Sequence, residues 1–140
     1  MAPASLRTAS SNDVEALIEF WAVAGENDAR PVDSAHATHQ LLARDPDAVI
    51  VAERDHVLVG TVIAGWDGWR AHLYRLAVHP DHRRQGIGHL LLDAAERHLL
   101  TLGATRFDAM VLDGNELGAS AWRARGYSPQ HEWRRWVRPV

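Results

Sequence analysis

The stretch Leu76-Ala77-Val78-His79-Pro80-Asp81-His82-Arg83-Arg84-Gln85-Gly86-Ile87-Gly88-His89-Leu90-Leu91 decides how this chain is read. It starts as an apolar strand end, turns through adjacent arginines and two glycines, and continues into a helix-period pattern. Such a strand-turn-helix junction is built to hold an anion. Glycine at 86 and 88 removes side chains where ligand oxygens approach the backbone. The unpaired amides of the first helical turn, with the positive end of the helix dipole behind them, point at that ligand. Arg83 and Arg84 add charged donors. A basic or Gln residue followed by Gly-x-Gly arises by chance in roughly one chain of this size in ten to twenty, so the flanking strand and helix carry the inference.

Working outward, Leu90, Leu91, Ala94, Ala95, His98, Leu99 and Leu102 define one helical stripe that stops at Gly103. On the N-terminal side, Ala71 to Val78 reads as a strand. It follows a tight connection at Asp67-Gly68 and two β-branched runs, Ala48 to Ala52 and Val57 to Ala64, joined by the polar turn Arg54-Asp55-His56. Further upstream, Asn12 with Glu15 suits the start of an amphipathic helix through Val14, Leu17, Ile18 and Trp21. Ser34 suits the cap of a second helix that ends before Pro46. Downstream come a short strand over Arg106 to Leu112, a helix from Leu117 to Arg125 closed by Gly126, and room for one or two strands between Tyr127 and Val137. The expected order is β-α-α-β-β-β-α-β-α-β, with an optional last strand: an α/β fold with a mixed sheet and helices on both faces. The strand-helix-strand passage across residues 71 to 112 requires two parallel strands with a right-handed crossover. No repeat or linker divides the 140 residues, so one domain over 1–140 is expected.

Composition narrows the partners. A formal net charge of −3 offers no overall attraction to a nucleic-acid backbone, although a few arginines can still hold one or two phosphates. With no cysteine, disulfides and acyl-cysteine intermediates are excluded. Val57 to Trp66 is about half of what a membrane-spanning helix needs, and the N-terminus carries no secretory pattern, so a cytoplasmic protein without membrane association is expected. His79, His82 and His89 lack the acidic or thiolate companions of a metal site, and no metal is expected.

Competing phosphate motifs fail on their spacing. A dinucleotide fold needs a third glycine, and a P-loop needs Lys and Ser or Thr where His89 and Leu90 stand. In contrast, Arg83-x-x-Gly86-x-Gly88 resembles the acyl-CoA-binding motif of the GNAT N-acetyltransferase superfamily, in particular its small bacterial, RimI-like members. The flanking Leu76-Ala77-Val78-His79-Pro80, Asn115, and the stretch Ala119 to Tyr127 containing Trp122 fall where that superfamily has corresponding features, and the similarity spans nearly the whole chain.

The resemblance implies an acetyl-CoA-dependent enzyme that moves the acetyl group directly to a primary amine in a ternary complex. Backbone groups of Leu76, Ala77 and Val78 would pair with the pantetheine arm. Amides from Arg84 through Gln85, Gly86, Ile87, Gly88 and His89 would hold the pyrophosphate. The amide of Val78 would then face the developing oxyanion. One branch of the superfamily carries a glutamate base fourteen residues before the first motif glycine; here His72 occupies that place, and Tyr74 lies on the same strand face. Many members also carry a tyrosine that protonates the departing thiolate, where this chain has Trp122, whose indole has no proton to give at useful pH. A non-catalytic acyl-CoA-binding module is therefore the alternative. The acceptor is open between a protein N-terminus and a small-molecule amine, and the assembly between monomer and homodimer. Trp66, Trp69, Trp133 and Trp136 are candidates for an aromatic acceptor pocket, and Asp28 and Asp33 for attracting a cationic acceptor.

Overall fold

The chain opens on a short strand, β1 (Ser5–Thr8), and reaches its first helix, α1 (Val14–Ala24), through a single 3₁₀ turn at Ser11–Asp13. The computed structural model describes residues 2–25 and 32–140. The turn into α1 differs from the expected Asn12–Glu15 pairing: the Ser10 amide donates to the Asp13 carboxylate at 2.7 Å, and the Asp13 amide donates back to the Ser10 carbonyl. Asp13 takes this role because Arg7 of β1 grips both its oxygens at 2.8 Å. The second helix, α2 (Ala35–Arg44), is capped as expected, with Ser34 Oγ accepting from the Ala37 amide at 3.1 Å.

β2 (Val49–Arg54) and β3 (Val57–Trp66) form a hairpin whose two-residue turn, Asp55-His56, sits at φ 53° and 63°. Both residues adopt the left-handed conformation that such a turn requires. β4 (Ala71–Val78) adds antiparallel to β3, and after the long helix α3 (Ile87–Leu102), β5 (Phe107–Ala109) adds parallel to β4. The sheet order is β1-β2-β3-β4-β5, a meander with one crossover.

Two neighbouring residues of β3 show that helices cover both faces. A Cβ at Gly60 would lie 2.9 Å from Leu91 Cδ1 and 3.0 Å from Ile87 Cγ2, so this side is pressed against α3. Thr61, pointing the opposite way, accepts a hydrogen bond from Trp21 of α1. On the α1 face, Leu17, Phe20, Trp21 and Leu42 pack with Val49, Val51 and Ala77 into one buried cluster. On the other face α3 buries Ile87, Leu91, Leu92, Ala95 and Leu99, each large side chain contributing roughly 1.5–3 kcal/mol by leaving water. The α3 stripe is thus rotated from the expected one: Leu92 is inside, while Leu90 and Leu102 are exposed, because the 87-91-95-99 ridge sits over Gly60.

By its internal contacts the chain divides into two compact units, Met1–Met110 and Val111–Val140. Within the second, α4 (Glu116–Ala124) is capped by Asn115, whose Oδ1 accepts from the Gly118 amide at 3.0 Å, and Trp122 stacks edge-on against Tyr127 at 4.9 Å between ring centroids. The strand expected between Tyr127 and Val137 does not form; residues 128–140 are exposed and, among the described residues, pair with no strand. Pro129, Pro139 and a sequence that offers neither face a clean apolar row explain why.

Candidate functional site

The junction between β4 and α3 presents unused backbone donors on one side and an opened strand edge on the other. Gly86 precedes α3 at φ 80° and ψ 7°, with no side chain capping the helix. The first rung of the helical ladder runs from the Leu90 amide to the Gly86 carbonyl at 3.1 Å, which leaves the amides of Ile87, Gly88 and His89 ahead of the ladder. At Gly88 an added Cβ would meet only Val78 Cγ2, at 3.9 Å, so the protein itself does not demand glycine there. A ligand seated against those amides would.

The loop that delivers these amides is bent and tied. Arg84 is left-handed at φ 62°, a conformation that costs a non-glycine residue roughly 1 kcal/mol or more. Arg83 Nε donates to the Val78 carbonyl at 3.2 Å. The Gln85 amide oxygen accepts from Arg54 at 2.6 Å, so this side chain reaches toward β2. His79 Nδ1 accepts from the Asp81 amide and its ring stands edge-on to His82 at 5.7 Å. Among the described residues no cluster of three or more His, Cys, Asp or Glu side chains suited to a metal ion occurs, and no helix is long and apolar enough to cross a membrane.

β4 and β5 pair only through Ala71/Phe107, His72/Asp108 and Leu73/Ala109. Beyond Leu73 the β5 side of β4 has no strand partner among the described residues. Which backbone groups face that edge is set by a bulge: Arg75 and Leu76 together oppose Val62, and Arg75 is left-handed at φ 51°. The Ala77/Thr61 pairing and the bond from the His79 amide to the Val59 carbonyl, 2.9 Å, turn those two residues toward β3. Alternation therefore turns the amides of Leu76 and Val78 outward, to the open edge. A buried hydroxyl holds the bulge. Thr61, 0% exposed, donates from Oγ1 to the Arg75 carbonyl at 2.8 Å and accepts from Trp21 Nε1 at 3.0 Å.

His72 and Tyr74 share the α1 face of β4, their ring centroids 6.0 Å apart, and the Tyr74 ring lies over Gly65, where a Cβ would meet it at 3.0 Å. Asp108 is the ladder partner of His72. Its carboxyl is held below the usual range mainly by hydrogen bonds from Arg106, with smaller help from the charges of Arg106, His72 and Arg70. Asp33 is not available to an acceptor as a bare charge, because Arg75 binds it at 2.7 Å and 3.2 Å; Asp28 lies outside the described residues. Within the first unit, Trp66 and Trp69 do not line a common pocket. Trp66 lines a cavity of about 120 Å³ with Asp45, His98 and Leu102 on the α3 side, Trp69 is exposed beneath Arg70, and Trp133 and Trp136 are exposed in the second unit. Asn115 and Trp122 also belong to that unit, where Asn115 spends its side-chain oxygen on the α4 cap and Trp122 is buried.

Residues 14–127 match the model of the acetyltransferase (GNAT) family. The chain belongs to that family. It is an N-acetyltransferase by this membership. An acetyltransferase of Pectobacterium atrosepticum, ECA0875, is 35% identical over 112 residues, covering 79% of this chain and 78% of that one. In structure, the PaiA N-acetyltransferase of Thermoplasma acidophilum, solved in complex with coenzyme A, superposes with a TM-score of 0.81 at 21% identity and 92% coverage of both chains. The ribosomal-protein-alanine N-acetyltransferase of Brucella melitensis does so at 0.72 with 26% identity, covering 87% of this chain and 83% of that one.

The sequence reading missed Thr61, Trp21, Arg75 and Arg54 as parts of the site. Only Thr61 left a signal, a hydroxyl inside the otherwise apolar run Val59 to Ala64. The partners of the other three are distant in sequence.

Proposed function

We propose that this acetyltransferase binds acetyl-CoA at residues 76–89 and passes the acetyl group directly to a primary amine, with residues 1–140 acting as one catalytic domain and the family match at 14–127 running through both units. The observation that carries this reading is the set of forward-pointing amides at Ile87, Gly88 and His89 next to the unpaired edge of β4. The coenzyme A bound to the PaiA relative supports the same ligand. The pyrophosphate would accept from the loop and helix amides, and the pantetheine arm would replace the missing strand partner at Leu76 to Val78.

The amine nitrogen attacks the thioester carbon, the outward Val78 amide donates to the oxyanion, and the carbon-sulfur bond then breaks to release the thiolate. The amine's proton leaves to the His72 imidazole, directly or through a water ordered by Tyr74. Trp122 has no proton to return to the sulfur. Because a thiol has a pKa near 8.5, exit as thiolate is tolerable near neutral pH.

Calorimetry with acetyl-CoA tests the binding step, and Gly86→Asp, which sets a carboxylate against phosphate, is expected to abolish it. Release of free thiol over a panel of peptide N-termini and small amines tests the chemistry; coenzyme binding with no turnover on any amine would instead make the protein a non-catalytic acyl-CoA module. With an accepted amine, His72→Ala should lower kcat by about 10–100-fold and remove the acidic limb of the pH profile. Full rate across pH 6 to 9 would take the base role from His72.

A further inference from the structure

Arg54 lies at the end of β2, distant in sequence from the loop before α3, yet its guanidinium is built into that loop. Nη1 donates to Gln85 Oε1 at 2.6 Å and lies 2.9 Å from His82 Nδ1, while Nε donates to the Ala2 carbonyl at 2.7 Å. The loop it grips contains left-handed Arg84 and ends at left-handed Gly86. Strained conformations of this kind persist only when surrounding contacts over-determine them. Among the described residues the side-chain contacts onto it run from Arg83 to the Val78 carbonyl at one end and from Arg54 to Gln85 and His82, beside the backbone bond from the His82 amide to the His79 carbonyl. Arg83, Arg84, Gln85 and Gly86 are all exposed, so packing does not hold them.

From this we infer that Arg54 is a positioning residue for the cofactor site: its guanidinium, anchored through Nε, locks Gln85 and His82 through Nη1 so that the amides from Gly86 to His89 converge before the ligand arrives. The inference rests on the reading of this loop as the acetyl-CoA pyrophosphate site. A preordered loop spares the ordering cost on binding, so its loss appears in cofactor affinity rather than in chemistry. The tight two-residue turn that follows Arg54 gives the arrangement its reason. It fixes the end of β2 rigidly, and a planar guanidinium there spans the Ala2 carbonyl with Nε and the loop with Nη1, two separated positions that one compact ammonium does not reach together.

The experiment measures the Kd for acetyl-CoA by calorimetry for the wild-type protein, Arg54→Ala, Arg54→Lys, Gln85→Ala and the Arg54→Ala/Gln85→Ala double variant, with melting curves for each. Arg54→Ala is expected to weaken binding by about 10-fold, and Gln85→Ala by less, with the double variant no weaker than Arg54→Ala alone, since both remove one contact. Arg54→Lys should stay close to Arg54→Ala. Steady-state kinetics should show KM for acetyl-CoA raised and kcat at saturation within about 2-fold of wild type. Wild-type affinity in Arg54→Ala, even with a lowered melting temperature, would overturn the inference and assign Arg54 to stability. Full recovery by Arg54→Lys would overturn it in favour of a bare charge, and additive losses would remove the shared contact. If wild-type protein itself binds no acetyl-CoA, the site reading fails and the inference with it; wild-type binding with an indifferent Arg54→Ala defeats the inference alone.

Discussion

Gly86 and Gly88 are both glycine, but for different reasons. At 86 the backbone sits at φ 80°, where any side chain is strained even though the space around it is open. At 88 the backbone is ordinary helix and the nearest atom to an added Cβ is 3.9 Å away. Gly86→Ala should therefore cost about 1 kcal/mol of stability as well as cofactor affinity. Gly88→Ala should leave stability unchanged or slightly raised, helix propensity favouring Ala by up to about 1 kcal/mol, while acetyl-CoA binding weakens at least about 10-fold. Thermal melts beside calorimetry separate the two; a Gly88→Ala protein that binds normally would show that no ligand approaches this turn. The spacing of these glycines was legible in the sequence because each acts through its own backbone. The partner of Gln85 was not, since Arg54 reaches it across two strands of intervening sequence and no periodicity links them.

Among the elements, β4 carries the most information per residue. Its period-2 pattern forecast a strand and the parallel crossover to β5, but a perfect alternation would have turned every residue after Tyr74 to the wrong face. The bulge at Arg75-Leu76 resets the register, and the Thr61 hydroxyl holds it through the Arg75 carbonyl at 2.8 Å. Thr61→Val keeps the shape, removes the donor and leaves that carbonyl without it, so unfolding free energy should fall by about 1–2 kcal/mol. If the bulge aims the Leu76 and Val78 amides, kcat/KM falls about 10-fold as well, and Thr61→Ser restores both. A Thr61→Val enzyme of full activity and reduced stability would confine the hydroxyl to packing. On α3, Gly60 made room for the Ile87-Leu91 ridge, and this is why the helix buries Leu92 instead of Leu90.

On the scale of the first unit, one charge cluster joins the first strand, the turn that starts the first helix and the second strand: Arg7 binds Asp13 at 2.8 Å and also pairs with Glu53. The Arg7 hydrogen bonds, with the Ser10 amide, pull the Asp13 carboxyl down to about 2. Since the folded value lies below the ordinary one, this contribution is complete above about pH 4 and is lost as pH falls through 2. Screening at a partly exposed pair reduces it to about 1 kcal/mol. Urea unfolding at pH 7 should place Asp13→Asn about 1 kcal/mol below wild type, with the two converging below pH 2; a gap that persists in acid would trace the loss to geometry instead of charge.

By itself the sequence determined the order of strands and helices as far as α4, the mixed sheet, the glycine-bearing turn between β4 and α3 and, through its resemblance, the family. All of these reside in local dihedral preferences and periodic burial, which neighbouring residues enforce. Only the tertiary structure decided where β4 bulges, that Asp33 is occupied by Arg75, that Trp66 and Trp69 part company, and that Arg54 meets Gln85. Those features depend on side chains that meet across distant parts of the chain, and a linear pattern records the residues but not which of them will touch.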